Sequence, residues 1–347
     1  MTPINTALCS YGMSGFVFHA PFAHVHPGFH LTTVWERSKN VAVKRYPNIK
    51  TVRTYEEILN DPSIELVVVN TPSITHYDFT KKALEAGKHV IVEKPFTAYS
   101  KEGQELIDLA NSKNLKLSVY HNRRFDSDFL TVQKIVKSGK LGKIVDAELR
   151  FDRFEPGLSA KAHKEKPTPG VGNLYDLGSH IIDQALVLFG LPKAVFMDAD
   201  ILRPESQVLD YFDIKLFYPD HRVSIRSSYY VKEPNPSFVI HGTKGSFVKS
   251  RADIQEASLK EAILPQGDDW GKEPKSEEGI LHLDINGDSL REHVPTEQGN
   301  YMKYYEMIFD AIRNGKNLPV SAEEGMNVIK VIEAALKSHE EQKVIAL

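Results

Sequence analysis

The first third of the 347-residue sequence predicts a doubly wound α/β domain, and three observations carry that prediction. Apolar strand-like runs alternate with helical stretches from residue 4 to residue 120. The run Leu66-Val67-Val68-Val69-Asn70 is apolar up to its last residue, as suits a parallel strand covered on both faces. A turn, Ser10-Tyr11-Gly12-Met13-Ser14-Gly15, follows the first apolar run directly and opens a helical stretch. Such alternation implies a parallel sheet with right-handed crossovers.

Residues 4–9 read as the first strand and 30–35 as the second. Ser38 can cap a short helix that ends before Pro47. Thr54-Tyr55-Glu56-Glu57 reads as a capping box with Thr54 as N-cap, and the helix after it ends near Asp61-Pro62. Residues 76–86 follow as a helix stopped by Gly87. Residues 89–92 form the next strand, 100–113 a helix and 115–120 another strand.

From about Phe125 the pattern changes. Residues 128–138 are helical, with Phe129, Val132 and Val136 on one face and Gly139 as the stop. Residues 144–151, 211–218 and 222–230 alternate in strand fashion, and the turn Pro219-Asp220 indicates antiparallel pairing of the last two. Residues 267–278 are polar and charged and contain Pro and Gly, a loop in which Trp270 reaches a cleft or simply anchors the chain. Residues 323–340 form a final amphipathic helix. A chain this long exceeds a single core, so two domains are expected, 1–122 and 123–347.

Composition excludes several classes. The 43 basic and 46 acidic residues leave a net charge of −3, without long-range attraction for nucleic acid or an anionic membrane. The single cysteine, Cys9, rules out an internal disulfide framework and a cysteine-based zinc site, and its apolar run marks it as a buried thiol. His19, His24, His26 and His30 straddle a helix end, a Pro-Gly turn and a strand start, so no metal is expected there. The N-terminal residues lack the basic start and apolar core of a signal peptide, and no apolar run is long enough to span a membrane. A cytoplasmic protein is the expectation.

Sheets of this kind bind ligands at the carboxyl ends of their strands, near the point where strand order reverses. The glycine turn reads Ser10-x-Gly12-x-x-Gly15, a dinucleotide fingerprint without its first glycine. Gly12 would let the backbone approach a pyrophosphate, and Gly15 would let the helix pack on the sheet. Glu36 stands about twenty residues past Gly15, where a carboxylate reads the adenosine ribose and disfavours a 2′-phosphate. Arg37, Ser38 and Lys39 follow and could instead grip that phosphate. The cofactor is thus NAD or NADP, with the balance slightly toward NAD.

Glu93-Lys94-Pro95 also ends a strand at this edge, where a lysine could stabilise charge on a substrate oxygen. The competing reading is a surface lysine before a turn proline. In the stretch 174–189, Leu177, Ile181, Ala185 and Leu188 recur at helical spacing, which places Asp176 and His180 one turn apart on a neighbouring face. A carboxylate can orient an imidazole that titrates near neutrality, a usual general-base arrangement. A plain helix-surface pair is the competing reading. Gly178 between them weakens a helix, which suggests a close approach by a ligand or another backbone.

These pieces together resemble the Gfo/Idh/MocA oxidoreductase family. The similar segments are SYGMSG with FHAPF after it, VVVNTPSITHYDFTKKALEAGKHVIVEKPFT, SVYHNRRFDSDF and YDLGSHIIDQALVLFG. They run in family order over residues 4–190, and Ser321-Ala322-Glu323-Glu324-Gly325 before the last helix fits as well. EKP followed by DLGSHIID is the specific part, and HNRRFD points to the branch that contains an NADP-dependent inositol dehydrogenase. The resemblance implies a Rossmann domain followed by an α/β domain built on a large, mostly antiparallel sheet, whose open face forms oligomer contacts. A homodimer or homotetramer is therefore expected.

The resemblance also implies that Lys94, Asp176 and His180 are the catalytic group, with His180 moving the proton. It places Thr71 and Pro72 along the cofactor, Glu93 and Lys94 near its nicotinamide end, and Asn122 and Arg123 in a pocket between the domains. The candidate cofactor set is Ser10, Gly12, Met13, Ser14, Gly15, Glu36, Arg37, Ser38, Asn70, Thr71, Pro72, His76, Glu93, Lys94 and Asn122. The candidate substrate set is Lys94, Asn122, Arg123, Asp176 and His180. The expected reaction is reversible oxidation of a secondary alcohol on a sugar or inositol-like polyol, by hydride transfer. The alternatives are a non-catalytic dinucleotide-binding sensor and a reductase of a non-sugar substrate such as a tetrapyrrole.

Overall fold

A computed structural model describes residues 2–161 and 164–347. Six strands form the first sheet: β1 (Ile4–Leu8), β2 (Phe29–Trp35), β3 (Lys50–Val52), β4 (Leu66–Val69), β5 (His89–Glu93) and β6 (Leu117–Tyr120). Their order is β3-β2-β1-β4-β5-β6, with every pairing parallel. The order reverses between β1 and β4, so the ligand edge lies where the glycine turn and Asn70 emerge. All four residues of β4 are buried, which explains the unbroken apolar run.

The intervening helices are α1 (Ala20–Val25), α2 (Ala42–Arg45), α3 (Glu56–Leu59), α4 (His76–Glu85) and α5 (Ser100–Ser112). Gly87 takes φ 75° after α4, and the N–H groups of Gly87 and Lys88 turn back to the Leu84 and Ala83 carbonyls. The capping box at residue 54 forms in part. Glu57 accepts from the Arg53 and Thr54 N–H groups, while the Thr54 hydroxyl donates to Glu57 instead of capping the helix. The helix therefore starts at Glu56, after Tyr55.

The second sheet has nine strands: β7 (Ile144–Arg150), β8 (Ala194–Asp200), β9 (Tyr211–Phe217), β10 (Arg222–Ser228), β11 (Phe238–Gly242), β12 (Gly245–Lys249), β13 (Gly279–Ile285), β14 (Asp288–Val294) and β15 (Ile345–Ala346). Their order is β14-β13-β12-β11-β7-β10-β9-β8-β15. The β7–β10 pair is parallel and the other pairs are antiparallel, including the hairpin across Pro219-Asp220. Burial alternates along β9: Phe212, Ile214 and Leu216 are buried, and Tyr211, Asp213, Lys215 and Phe217 are half-covered. Helices α6 (Ser127–Lys137) and α7 (Ser179–Phe189) belong with this sheet, Phe129 of α6 lying 6.2 Å from the Phe238 ring.

The chain divides into two compact units. The first comprises Met1–Asn122, Ile254–Trp270 and Asn300–Met326; the second comprises Arg123–Asp253, Gly271–Gly299 and Asn327–Leu347. Helices α8 (Gln255–Lys260) and α9 (Met302–Asn314) thus fold with the Rossmann sheet, and α10 (Ala322–Glu341) starts there and ends in the second unit. Aromatic burial explains the return of 300–326. Tyr301, Tyr304 and Tyr305 are fully buried, and the Tyr305 ring stacks on Phe22 at 5.6 Å. Ser118 of β6 donates to the Val320 carbonyl, and Arg313 grips both oxygens of Glu65 at 2.8 Å. No helix among the described residues is long and apolar enough to cross a membrane.

Candidate active site

Ser10 stands where the fingerprint expects glycine, and Asn70 explains why serine serves. The Asn70 side chain accepts from the Ser10 N–H and donates to the Ser10 carbonyl, both at 2.9 Å. The Ser10 hydroxyl donates to the Asn70 carbonyl at 2.8 Å. These three bonds brace the turn across the switch point, and Ser10 needs no positive φ. Asn70, expected at the cofactor, is therefore the brace that shapes the turn.

The two glycines differ in what they permit. A Cβ on Gly15 would lie 2.4 Å from the Ser10 carbonyl oxygen, so closure of the turn on the helix requires glycine. A Cβ on Gly12 would meet nothing within 4 Å, and Gly12 is exposed. Gly12 leaves room for a ligand to approach the backbone, which is what a pyrophosphate needs. Met13 in the turn and Ile74 in the segment after β4 are large apolar side chains left about half exposed, at 48% and 56%. The residues present thus fit a dinucleotide. The first helical turn after Gly15 is a π-helix, Gly15–His19, a form frequent at functional sites.

Glu36, expected at the ribose, is also tied into its own loop. It is buried, and its two oxygens accept from the Val41 N–H at 2.9 Å and the Ala42 N–H at 3.1 Å. The carboxylate closes its own loop at the start of α2, where helix N–H groups attract an anion. Arg53 holds the same loop from the other side, donating to the Glu36 and Lys39 carbonyls and to Asn40, each at 2.6 Å. Arg37, Ser38, Lys39 and Asn40 are left exposed on this braced loop.

Glu93 and His76 are also internal ties. Oε1 of Glu93 accepts from the Ser14 hydroxyl and lies 3.0 Å from His19 Nε2, while Oε2 accepts from the Lys94 N–H at 3.1 Å. Burial raises the Glu93 carboxyl, but the His19 and Ser14 donors and nearby charges outweigh it and leave the group below its usual range. His76 is buried, with Nδ1 2.7 Å from the Pro95 carbonyl and Nε2 3.0 Å from the Thr71 carbonyl. It lies between the two loops expected along the cofactor, with one N–H to give when neutral. Thr71 shares a 2.7 Å hydroxyl contact with Thr75, and Thr75 bonds the Pro72 carbonyl. Lys94 is half-buried after β5, through a cis bond to Pro95. Asn122 is buried at the end of the first unit, and its Nδ2 has no hydrogen-bond partner among the described residues. A buried amide donor left so is a natural point for a ligand acceptor.

In the second unit, the helix bearing Asp176 and His180 begins with a π-helical turn, Leu174–Gly178, before α7. The α-helical stripe read from sequence therefore starts at Ser179. Asp176 is half-exposed and pairs with Lys164, Nζ to Oδ2 at 2.8 Å. His180 is buried, its ring centroid 6.4 Å from that of Phe151. Gly178 is closely approached by side chains: a Cβ there would meet Leu174 at 3.0 Å and Phe212 at 3.2 Å.

Arg123 joins this neighbourhood, its guanidinium 5.1 Å from the Phe151 centroid and 3.3 Å from Asp126. Arg251, which the sequence reading missed, lies over the same ring at 4.3 Å and reaches Gln184 of α7 at 3.2 Å. Burial and the neighbouring Asp253 and Asp128 push the Asp126 carboxyl well up, against the opposing pull of Arg123 and Arg251. Phe151, Lys164 and Arg251 carry no local motif, and long-range pairing alone gathers them. Trp270 donates its indole N–H to Gln255 at 3.1 Å, which anchors the loop within the first unit. Among the described residues, no group of three or more His, Cys, Asp or Glu is placed to hold a metal.

Two family models cover nearly the whole chain. Residues 4–121 match the oxidoreductase family's NAD-binding Rossmann fold, and 133–347 match its C-terminal alpha/beta domain. The chain belongs to the Gfo/Idh/MocA oxidoreductase family. Among relatives within this Gfo/Idh/MocA family, scyllo-inositol 2-dehydrogenase (NADP(+)) of Bacillus subtilis is 41% identical, over 99% of this chain and 96% of its own. A solved Bacillus subtilis oxidoreductase superposes with a TM-score of 0.95 at 41% identity, covering 99% of this chain and 98% of that one. A Bacteroides fragilis oxidoreductase gives 0.91 at 45% identity, over 99% and 100%. This Gfo/Idh/MocA protein is thus a dehydrogenase-type oxidoreductase with NAD or NADP as its cofactor.

Proposed function

We propose that the protein oxidises, reversibly, a secondary alcohol on a sugar or inositol-like ring. One observation carries the reading: a Gly12 turn open to a pyrophosphate occurs in the same chain as a helix bearing buried His180 and the half-exposed carboxylate Asp176. The similarity to an inositol dehydrogenase along the whole chain supports it.

When bound, the nicotinamide supplies the hydride acceptor for oxidation or the hydride donor for reduction. Lys94 hydrogen-bonds the reacting oxygen and offsets its developing negative charge. His180 takes the hydroxyl proton in oxidation and returns it in reduction. Asp176 holds a neighbouring hydroxyl or orients His180, and Asn122 and Arg123 offer further donors to substrate. His180→Ala and Lys94→Ala should each lower turnover at least about a hundredfold, within the range of general acid–base and electrostatic contributions. Unchanged turnover in both, or dinucleotide binding without turnover on inositols, aldoses and ketoses, would sink the reading.

We infer further that NADP is the preferred dinucleotide. With Glu36 closing its own loop, exposed Arg37, Ser38 and Lys39 offer two cations and a hydroxyl to a 2′-phosphate. The NADP dependence in the name of the Bacillus subtilis relative agrees. The half-covered face of β9, with Tyr211, Asp213, Lys215 and Phe217, suits a homodimer or homotetramer. Light scattering after size exclusion would settle the assembly.

A further inference from the structure

The Glu93-Lys94-Pro95 segment is gripped on both sides by buried histidines. On one side His19, fully buried, sets Nε2 3.0 Å from Glu93 Oε1 and Nδ1 2.7 Å from the Tyr305 hydroxyl. Its ring lies 4.4 Å from that of Tyr120, and the π-helical turn Gly15–His19 delivers it. Glu93 accepts the Lys94 N–H with its other oxygen. On the other side His76, itself 1% exposed, sets Nδ1 2.7 Å from the Pro95 carbonyl and Nε2 3.0 Å from the Thr71 carbonyl. Burial lowers its pKa and favours the neutral ring, whose single N–H we assign to the shorter contact, with Pro95. Tyr305 comes from α9, so the segment that returns from residue 300 reaches the strand-end turn through His19.

We propose that His19 and His76 are positioning residues for Lys94, holding its main chain in place through the Glu93 carboxylate and the Pro95 carbonyl. The inference rests on Lys94 acting at the substrate oxygen. A lysine side chain has four rotatable bonds, so its reach is defined only if its backbone is fixed. Misplacement by about 1 Å can cost on the order of a hundredfold in rate. Burial makes both ties strong, because the bonded groups have no water to turn to.

The test uses opposed amide substitutions. Glutamine places its amide nitrogen near the position of histidine Nε2, and asparagine places its own near Nδ1. At position 19 the needed donor is Nε2, toward Glu93; at position 76 it is Nδ1, toward Pro95. His19→Gln should therefore keep most of kcat, whereas His19→Asn should lose about tenfold or more. The pattern should invert at the other site, His76→Asn holding and His76→Gln falling. Substrate KM and the dissociation constant for NADPH, read by fluorescence, should change less than threefold throughout. Equal behaviour of Gln and Asn at both sites, or losses confined to KM, would overturn the proposal. Lys94→Ala is the control for the underlying reading: if it leaves kcat intact, that reading fails whatever the histidine variants do. If it lowers kcat while all four histidine variants stay at wild-type turnover, the positioning proposal alone fails.

Discussion

Nζ of Lys164 lies 2.8 Å from Oδ2 of Asp176, so the carboxylate expected at the substrate is held by a cation from the preceding loop. The Lys164 side chain is 43% exposed and that of Asp176 31%. An ion pair so open to solvent contributes only about 0–1 kcal/mol to stability. Lys164→Ala should consequently leave the melting temperature nearly unchanged. Substrate KM should move several-fold, since the charge and orientation of Asp176 change. Steady-state kinetics beside a thermal melt checks this, and a large loss of stability with unchanged KM would contradict it.

Gly12→Ala and Gly15→Ala should part company. Alanine at 12 fits the free protein, since nothing lies within 4 Å, but it intrudes where a pyrophosphate would approach. Dinucleotide affinity should fall at least about tenfold with stability within ~1 kcal/mol of wild type, as for an unstrained surface change. Alanine at 15 would stand 2.4 Å from the Ser10 carbonyl oxygen and force the turn open. That variant should lose stability by about 1–3 kcal/mol, the range of overpacking. Urea melts and dinucleotide titrations of both variants measure the contrast.

Arg37→Ala should raise the dissociation constant for NADPH about tenfold, the loss of roughly 1.4 kcal/mol expected for one charge-assisted bond, and leave NADH binding unchanged. Glu36→Gln tests the loop. Its amide can accept only one of the Val41 and Ala42 N–H bonds, so affinity for both dinucleotides should drop together. A selective gain in NADPH binding by Glu36→Gln would instead restore the ribose role.

Acid should weaken the first unit through Glu65. Hydrogen bonds from Arg313 hold this carboxyl below its usual value, against a smaller opposing effect of burial. A group depressed on folding binds its proton more readily when unfolded, so its stabilisation is complete above the unfolded value, about 4.3. That stabilisation is lost as pH falls through the lower folded value. Arg313→Ala should therefore cost stability at neutral pH and show a shallower decline between neutral and acid pH. Urea midpoints across that range for wild type and variant give the comparison.

Local pattern made the Rossmann half legible. Period and punctuation placed β4 at 66–69 inside the run read as 66–70, and set the Gly87 stop and the helix from His76. Backbone propensity and strand burial act over a few residues, so a short window carries them. The glycine turn was equally visible, although the reason serine suffices at position 10 was not. That reason is Asn70, sixty residues away along the chain.

What only the tertiary structure decided is where each side chain's hydrogen bonds go. By sequence Glu36 read as a ribose-binding carboxylate; the fold adds two backbone N–H groups that tie it into its own loop. Likewise Glu93, His76 and Asn70 sat in segments that resemble cofactor loops, and they prove to be the ties that hold those loops. The gathering of Phe151 and Arg251 near His180, and the return of Tyr305 to His19, depend on pairings between distant parts of the chain. The sequence by itself determined the fold class, the strand-end loops and the family that Lys94, Asp176 and His180 announce. Burial determined the rest, since a polar group removed from water must find a partner wherever the fold brings one.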